Sequence, residues 1–329
     1  MARILPLEMV RVTEAAALAA AKLMGRGDQD AADAAAVEAM RTKFNDVSVH
    51  GRVVIGEGER DEAPMLYIGE VVGKCAPGDP EIDIAVDPLE GTKLTARGAN
   101  GALAVMAMGQ RDKLLHAPDT YMLKLVVGQD CVGTISLEDS LSDNLRRIAE
   151  RKRMPITDLT VCMLDRPRHN AYMDECRALG TRIRFISDGD VSGALATCRW
   201  SSPIDVLIGI GGAPEGVLAA CAIRAMGGDM QARLHFRNAE EEERARAMGL
   251  DDPHKILTLT DLAGGEDVLF AATGVTDGDF LKGIRFHTRG ATSESVVMRS
   301  KTKTIRWVRT EHDFSTRTDS LPGVSEQRS

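Results

Sequence analysis

Apolar positions recur at helical spacing over residues 11–23, and Gly25-Arg-Gly27 follows, which predicts a helix with a glycine stop. A second helix is expected over 31–44, with Val37, Met40 and Phe44 on its apolar stripe. Short apolar runs predict buried strands at 52–55 and 82–86, the second alternating at Ile82, Ile84 and Val86. Between them, 63–72 is expected to be helical. Residues 100–108 and 113–115 read as a hairpin, 121–127 and 133–136 as further strands, and 140–152 as an amphipathic helix. From residue 159 strand and helix patterns alternate: strands 159–164, 181–186 and 204–210, helices 168–179, 190–198 and 214–226. That order predicts a parallel α/β unit with functional loops at the strand C-termini. The charged run 240–246 reads as a solvated helix, and strands near 256–259, 268–273 and 304–308 complete the sheet.

Pro155 marks the natural cut between an N-terminal α+β domain, 1–157, and a C-terminal α/β domain, 158–312, followed by a polar tail, 313–329, expected to be mobile. The 329 residues suffice for two such domains, and the 4% aromatic content requires an aliphatic core. A net charge of −8 argues against nucleic acid or an anionic membrane as partner, so an anionic ligand must be attracted locally. Six cysteines are scattered without a C-x-x-C pair, which reads as reduced packing residues of a cytoplasmic protein. The seven histidines show no metal-ligand spacing; His169 is expected to support a site from behind or to lie on the surface. No run of 18 apolar residues occurs and the first residues lack a signal-peptide pattern, so neither export nor membrane insertion is expected.

The most informative chemistry is Asp87-Pro-Leu-Glu-Gly-Thr92, at the end of the 82–86 strand. Pro88 is expected to stop the ladder, because it has no N–H to donate. Two carboxylates and a hydroxyl are thus delivered together, and Gly91 leaves backbone N–H groups free to face an anion. Oxygen ligands for a hard cation beside a phosphate pocket suit a metal-dependent phosphatase; a Pro/Gly turn with solvated acids is the plainer alternative. Glu57 sits between two glycines at a strand end, as a metal ligand or in a surface loop. Asp33 lies one turn before Val37, either partnered by a cation or as an ordinary acid favoured by the helix dipole. Glu215 opens the helix after the strand at 204–210; Pro214 suits a first helical position. The intervening Gly209-Ile-Gly-Gly212 also resembles a dinucleotide fingerprint, but the third glycine is displaced.

Taken together, these segments resemble class II fructose-1,6-bisphosphatases from about residue 11 to about residue 306. The resemblance is carried by Arg11-Val-Thr-Glu14, Gly25-Arg-Gly-Asp28, Val54-Ile-Gly-Glu-Gly-Glu59, Asp61-Glu-Ala-Pro-Met-Leu66, Asp83-Ile-Ala-Val-Asp-Pro-Leu-Glu-Gly-Thr92, Pro118-Asp-Thr-Tyr-Met122, Asp188-Gly-Asp190, Gly209-Ile-Gly-Gly-Ala-Pro-Glu-Gly216 and Ala272-Thr-Gly274. Their order is specific, whereas the D-P-x-E-G-T core is shared with other lithium-sensitive sugar and inositol phosphatases.

The resemblance implies a two-domain layered α/β sandwich of the sugar phosphatase type, and hydrolysis of the 1-phosphate of fructose 1,6-bisphosphate, with sedoheptulose 1,7-bisphosphate as a further candidate. It implies two divalent ions, Mn²⁺ or Mg²⁺: Asp33 and Glu57 match the ligands of one, and Asp87, Glu90 and Glu215 those of the other. Thr92 matches the hydroxyl that positions or activates the attacking water; Lys93, its neighbour, is expected to point elsewhere. Substrate contacts fall on Glu90, Gly91, Thr92, Tyr121, Arg166, Pro167, Arg168, Asp188, Gly189, Asp190 and Gly212. Where the family pattern has Lys-Pro-Arg this chain has Arg166-Pro167-Arg168, and a guanidinium fork is not a point-charge ammonium. Five carboxylates and no histidine suit Mg²⁺ or Mn²⁺ rather than zinc. A dimer or tetramer is expected. Two other readings stay open: a phosphatase acting on inositol phosphate or a nucleotide phosphate, and a non-catalytic nucleotide-binding protein using the glycine-rich loop.

Overall fold

Two sheets carry the fold, and the alternation of side chains along their strands decides what lies between them. The computed structural model describes residues 4–58 and 64–315; the expected polar tail and Asp61 lie largely or wholly outside them. The chain opens with α1 (Leu5–Ala21), α2 (Gln29–Phe44), β1 (His50–Ile55), β2 (Val71–Val72), β3 (Glu81–Glu90), α3 (Thr92–Arg97) and β4 (Leu103–Gln110). Next come β5 (Tyr121–Val127), α4 (Leu141–Lys152), β6 (Thr160–Leu164), α5 (Asn170–Leu179), β7 (Arg182–Ile186), α6 (Asp190–Ala196), β8 (Val206–Gly212) and α7 (Ala213–Met226). The last elements are β9 (Asp229–His235), α8 (Ala239–Ala247), β10 (Leu257–Thr258), α9 (Leu259–Leu262), β11 (Leu269–Gly274), β12 (Arg285–His287), β13 (Gly290–Arg299) and β14 (Thr304–Asp313).

The first sheet has the order β12-β13-β11-β4-β3-β1-β2, with β14 on β13; the second has β10-β9-β5-β8-β6-β7. Along β4, Ala104, Met106 and Met108 point into the core beneath α1 and α2, while Leu103, Val105 and Ala107 point into the core shared with α7 and the second sheet. Along β6, Cys162 faces that shared core, and Val161 and Met163 face the core beneath α4 and α5. Period-two alternation in both sheets therefore stacks five layers: helices, sheet, helices, sheet, helices. This is the layered α/β sandwich expected. The core is nearly all aliphatic; Phe44, Phe270 and Phe280 are its buried aromatic rings. All six cysteines are free, and burial pushes the Cys162 and Cys221 thiols up to about 12. No described helix is long and apolar enough to cross a membrane.

Several expectations are corrected. The sheets do not part at Pro155: β5 already belongs to the second sheet, and β11 to β14 return to the first. Within the second sheet only β6, β7 and β8 pair in parallel; β5, β9 and β10 are added through antiparallel pairings. No hairpin forms from 100–115, because β4 is flanked on both sides by β3 and β11, and Leu114 bridges Ala263 instead. Residues 133–136 form no strand; the Ser136 N–H donates to the Asn144 side chain of α4. From Pro64 onward the expected helix over 63–72 is replaced by turns and β2. Glu70 explains this: it is 9% exposed, holds Arg41 at 2.5 Å and accepts the Leu66 N–H. The strands β9, β12 and β13 were not expected.

Candidate active site

β3 does not stop at Pro88. It runs on to Glu90 through a bulge: Asp87 pairs with Val105 and Glu90 with Leu103, three steps on one strand against two on the other. In a regular strand residues three apart face opposite sides. Here both pair with residues of β4 that face the shared middle layer, so both carboxylates turn toward α7 and the second sheet. Pro88 fits within the bulge, where its missing N–H breaks no regular ladder bond. Gly91 then takes φ +88°, a backbone conformation that favours glycine, and Thr92 begins α3. No side chain caps that helix, so Thr92 is not its cap.

The other acids converge from separate elements. Asp33 lies on α2, whose N-cap is Asp28, so no capping role falls to Asp33. Glu57 follows β1, and its N–H donates to Leu66 O at 3.1 Å within the segment ordered by Glu70. Glu215 lies in the first turn of α7, and a Cβ on Gly212 would overlap its carboxylate. That carboxylate occupies the helix start where a dinucleotide phosphate would sit, and β8 passes into α7 without an intervening loop. The dinucleotide reading therefore fails.

One cavity of about 520 Å³ collects nearly all of the expected residues. From the first sheet's side it is lined by Asp33, Asp87, Glu90, Gly91 and Thr92, and from the second's by Tyr121, Arg166, Arg168, Asp188, Gly189, Asp190, Gly212 and Glu215. Glu57 is not on the wall but stands close behind it, where its charge raises Asp87 and is itself raised by Asp33. Pro167 is also off the wall; it opens the 3₁₀ turn Pro167–His169 that carries Arg168. Contrary to expectation, Lys93 does line the cavity.

The acids are crowded and dry. Burial, then the charge of Asp33, raises Glu57 to about 8. Burial together with Glu90, Glu215, Glu57 and Asp33 lifts Asp87 well above the usual carboxylate range. Burial and Asp190 do the same to Glu90, although the Val191 N–H donates to its Oε1 at 2.8 Å. Burial raises Glu215 against the opposing pull of Lys124, and burial with Asp30 raises Asp33. Glu90 Oε2, Asp190 Oδ1 and Glu215 Oε2 are buried without a hydrogen-bond partner. The unpaired oxygens of Glu90 and Glu215, in an all-oxygen donor set, fit a hard divalent cation. Among the described residues no three His, Cys, Asp or Glu side chains are already grouped as a metal-holding set.

Sequence reasoning missed Lys124, Asp119 and Arg237, and left His169 between a supporting role and the surface. Lys124, 1% exposed, places Nζ 2.5 Å from Asp190 Oδ2 and 2.9 Å from Gly212 O. Its signal was a lone lysine between Leu123 and Leu125 in an apolar strand. His169 is fully buried: Ile210 N–H donates to its Nε2 at 2.8 Å, so Nδ1 carries the proton and donates to Leu164 O at 2.7 Å. Burial lowers its pKa and keeps the ring neutral. Arg168 donates through Nε and Nη2 to Ile210 O, at 2.9 and 2.8 Å. These contacts tie the arginine turn to β8, beyond the point where β6 and β8 pair. Asp119 and Arg237 line the cavity too, and no motif pointed to Arg237.

A profile of bacterial fructose-1,6-bisphosphatases, glpX-encoded, matches residues 3–312. The chain is 49% identical over 325 residues to fructose-1,6-bisphosphatase 1 class 2 of Escherichia coli (strain K12), spanning 95% of this chain and 96% of that one. It is 44% identical over 336 residues to D-fructose 1,6-bisphosphatase class 2/sedoheptulose 1,7-bisphosphatase of Trichodesmium erythraeum (strain IMS101), spanning 95% and 97%.

Proposed function

The chain belongs to the bacterial, glpX-encoded fructose-1,6-bisphosphatases, and from that premise we propose that it hydrolyses fructose 1,6-bisphosphate at C1 to fructose 6-phosphate and phosphate. The observation that carries this reading is a single cavity whose wall brings buried acids and arginines together. A bisphosphate needs both: hard-cation chemistry at the reacting ester and fixed cations at the second phosphate.

Asp33 and Glu57 are assigned to one divalent ion, and Asp87, Glu90 and Glu215 to a second. Mn²⁺ or Mg²⁺ there would neutralise the phosphoryl oxygens and lower the pKa of the attacking water. Thr92 orients that water from the first position of α3. It lacks a neighbouring histidine to activate it as a nucleophile. Lys93 adds a cation beside it. Arg166 and Arg168 hold the distal phosphate. Gly91, Tyr121, Asp188, Gly189 and Gly212 shape the sugar site, and the unpaired Oδ1 of Asp190 is an acceptor for a sugar hydroxyl.

The Trichodesmium relative's name adds sedoheptulose 1,7-bisphosphate as a second substrate. Gluconeogenic use in the cytoplasm, and assembly as a dimer or tetramer, belong to the same reading. Phosphate release from both bisphosphates and from inositol 1-phosphate, with Mn²⁺ or Mg²⁺ supplied, tests it. Preference for inositol 1-phosphate would move the protein to another branch of the lithium-sensitive phosphatases.

A further inference from the structure

We propose that Arg237 is a third arm for the distal phosphate, held ready by Glu241 and Thr120; this rests on the bisphosphate reading of the cavity. Arg237 lies between β9 and α8. The β5–β9 ladder pairs Tyr121 with His235, which brings Arg237, two residues on, alongside Tyr121. Its guanidinium carbon is 5.2 Å from the centre of the Tyr121 ring, and that of Arg168 is 4.8 Å from the same centre. Two cations over one ring repel each other, and the ring's quadrupole offsets only part of that. An anion held by both offsets that repulsion.

Both guanidiniums are anchored by groups that leave donors free. Arg168 spends Nε and one Nη2 hydrogen on Ile210 O. Arg237 gives Nε to Glu241 Oε1, and its backbone N–H donates to Glu241 Oε2 at 2.9 Å. Glu241 is itself fixed: it is 2% exposed, its Oε2 accepts from Thr120 Oγ1 at 2.6 Å, and its N–H donates to the Asn238 cap of α8 at 3.0 Å. A carboxylate so tied holds the guanidinium in one orientation and leaves its Nη donors for a ligand on the cavity wall. Asp119, on the same wall, limits the excess positive charge there.

The test compares kcat/KM for fructose 1,6-bisphosphate and for fructose 1-phosphate, which lacks the distal phosphate, in wild type, Arg237→Met and Arg237→Lys. The preference for the bisphosphate should fall about 10–100-fold in Arg237→Met, chiefly through KM, the usual worth of a hydrogen bond to a charged group. Arg237→Lys should recover part of it. A change in thermal stability with the preference intact would make Arg237 a structural partner of Glu241 and overturn the proposal. A wild-type enzyme without preference for the bisphosphate would overturn the reading beneath it, a result distinguishable because it needs no variant.

Discussion

Lys124 and Asp190 form an ion pair closed to solvent, with Nζ 2.5 Å from Oδ2 and the two side chains 1% and 7% exposed. The lysine also bonds Gly212 O, so one side chain ties β5, the start of α6 and the end of β8 together. It is the fixed positive charge among the acids, and it opposes the burial that raises Glu90 and Glu215. Lys124→Met leaves Asp190 buried and uncompensated, and should lower unfolding stability by about 3–5 kcal/mol. The double variant Lys124→Met/Asp190→Asn should be more stable than Lys124→Met alone. Denaturant unfolding measures both, and additive effects would show that the pair is not coupled.

Glu215→Gln keeps the shape of the side chain and removes its charge. Because Glu215 is raised in the folded protein, the metal-free variant should be no less stable than wild type. Mn²⁺ affinity, measured by calorimetry, should fall at least about tenfold, and turnover should fall with it. Lost stability with unchanged metal affinity would return Glu215 to an ordinary helix-start charge.

The raised acids give the metal-free protein an unusual pH profile. Glu57 holds its proton up to about 8 when folded, against 4.5 in the reference state. Its contribution to stability is therefore complete below about pH 4.5 and is lost as pH rises toward 8. Asp87, Glu90 and Glu215 act in the same direction. The unfolding temperature without metal should fall between pH 5 and 8, Mn²⁺ should restore it at pH 8, and ion uptake should release protons. Calorimetry in buffers of different ionisation enthalpy detects that release. A metal-free protein that grows steadily more stable across the interval would refute the crowded-acid account.

Thr92 separates three roles. As it caps no helix, Thr92→Ala should leave stability nearly unchanged. Turnover should fall roughly 10²–10⁴-fold if the hydroxyl orients the attacking water, and Thr92→Ser should keep much of it. Phosphorylated Thr92 trapped during turnover and found by mass spectrometry would make the residue a nucleophile instead.

The acids were legible because glycine and proline flag the segments that carry them: Gly91 after Glu90, Gly56 and Gly58 around Glu57, Pro214 before Glu215. The alignment of Asp87 with Glu90 was not, since it depends on a bulge whose pairing with Leu103 and Val105 is a property of two strands. Lys124 and Arg237 were missed because burial and stacking arise from cross-strand neighbours, Gly212 and Tyr121, remote in sequence. β9 alternates Met230, Ala232 and Leu234 and was readable; β13 was not, because Ser293 and Ser295 are buried on hydroxyl networks with Glu14 and Thr273. The chain crosses to the second sheet at β5 and returns to the first at β11, an exchange that no local pattern around Pro155 announces.

Hydrolysis of a sugar bisphosphate by this cavity should depend on a divalent ion. Its most direct test is phosphate release from fructose 1,6-bisphosphate by protein dialysed against EDTA, before and after Mn²⁺ or Mg²⁺ is added, with the sugar product identified by ³¹P NMR. No turnover is expected in EDTA, and activity should return with fructose 6-phosphate as the product once the ion is added. Full turnover in excess EDTA, or fructose 1-phosphate as the product, would contradict it.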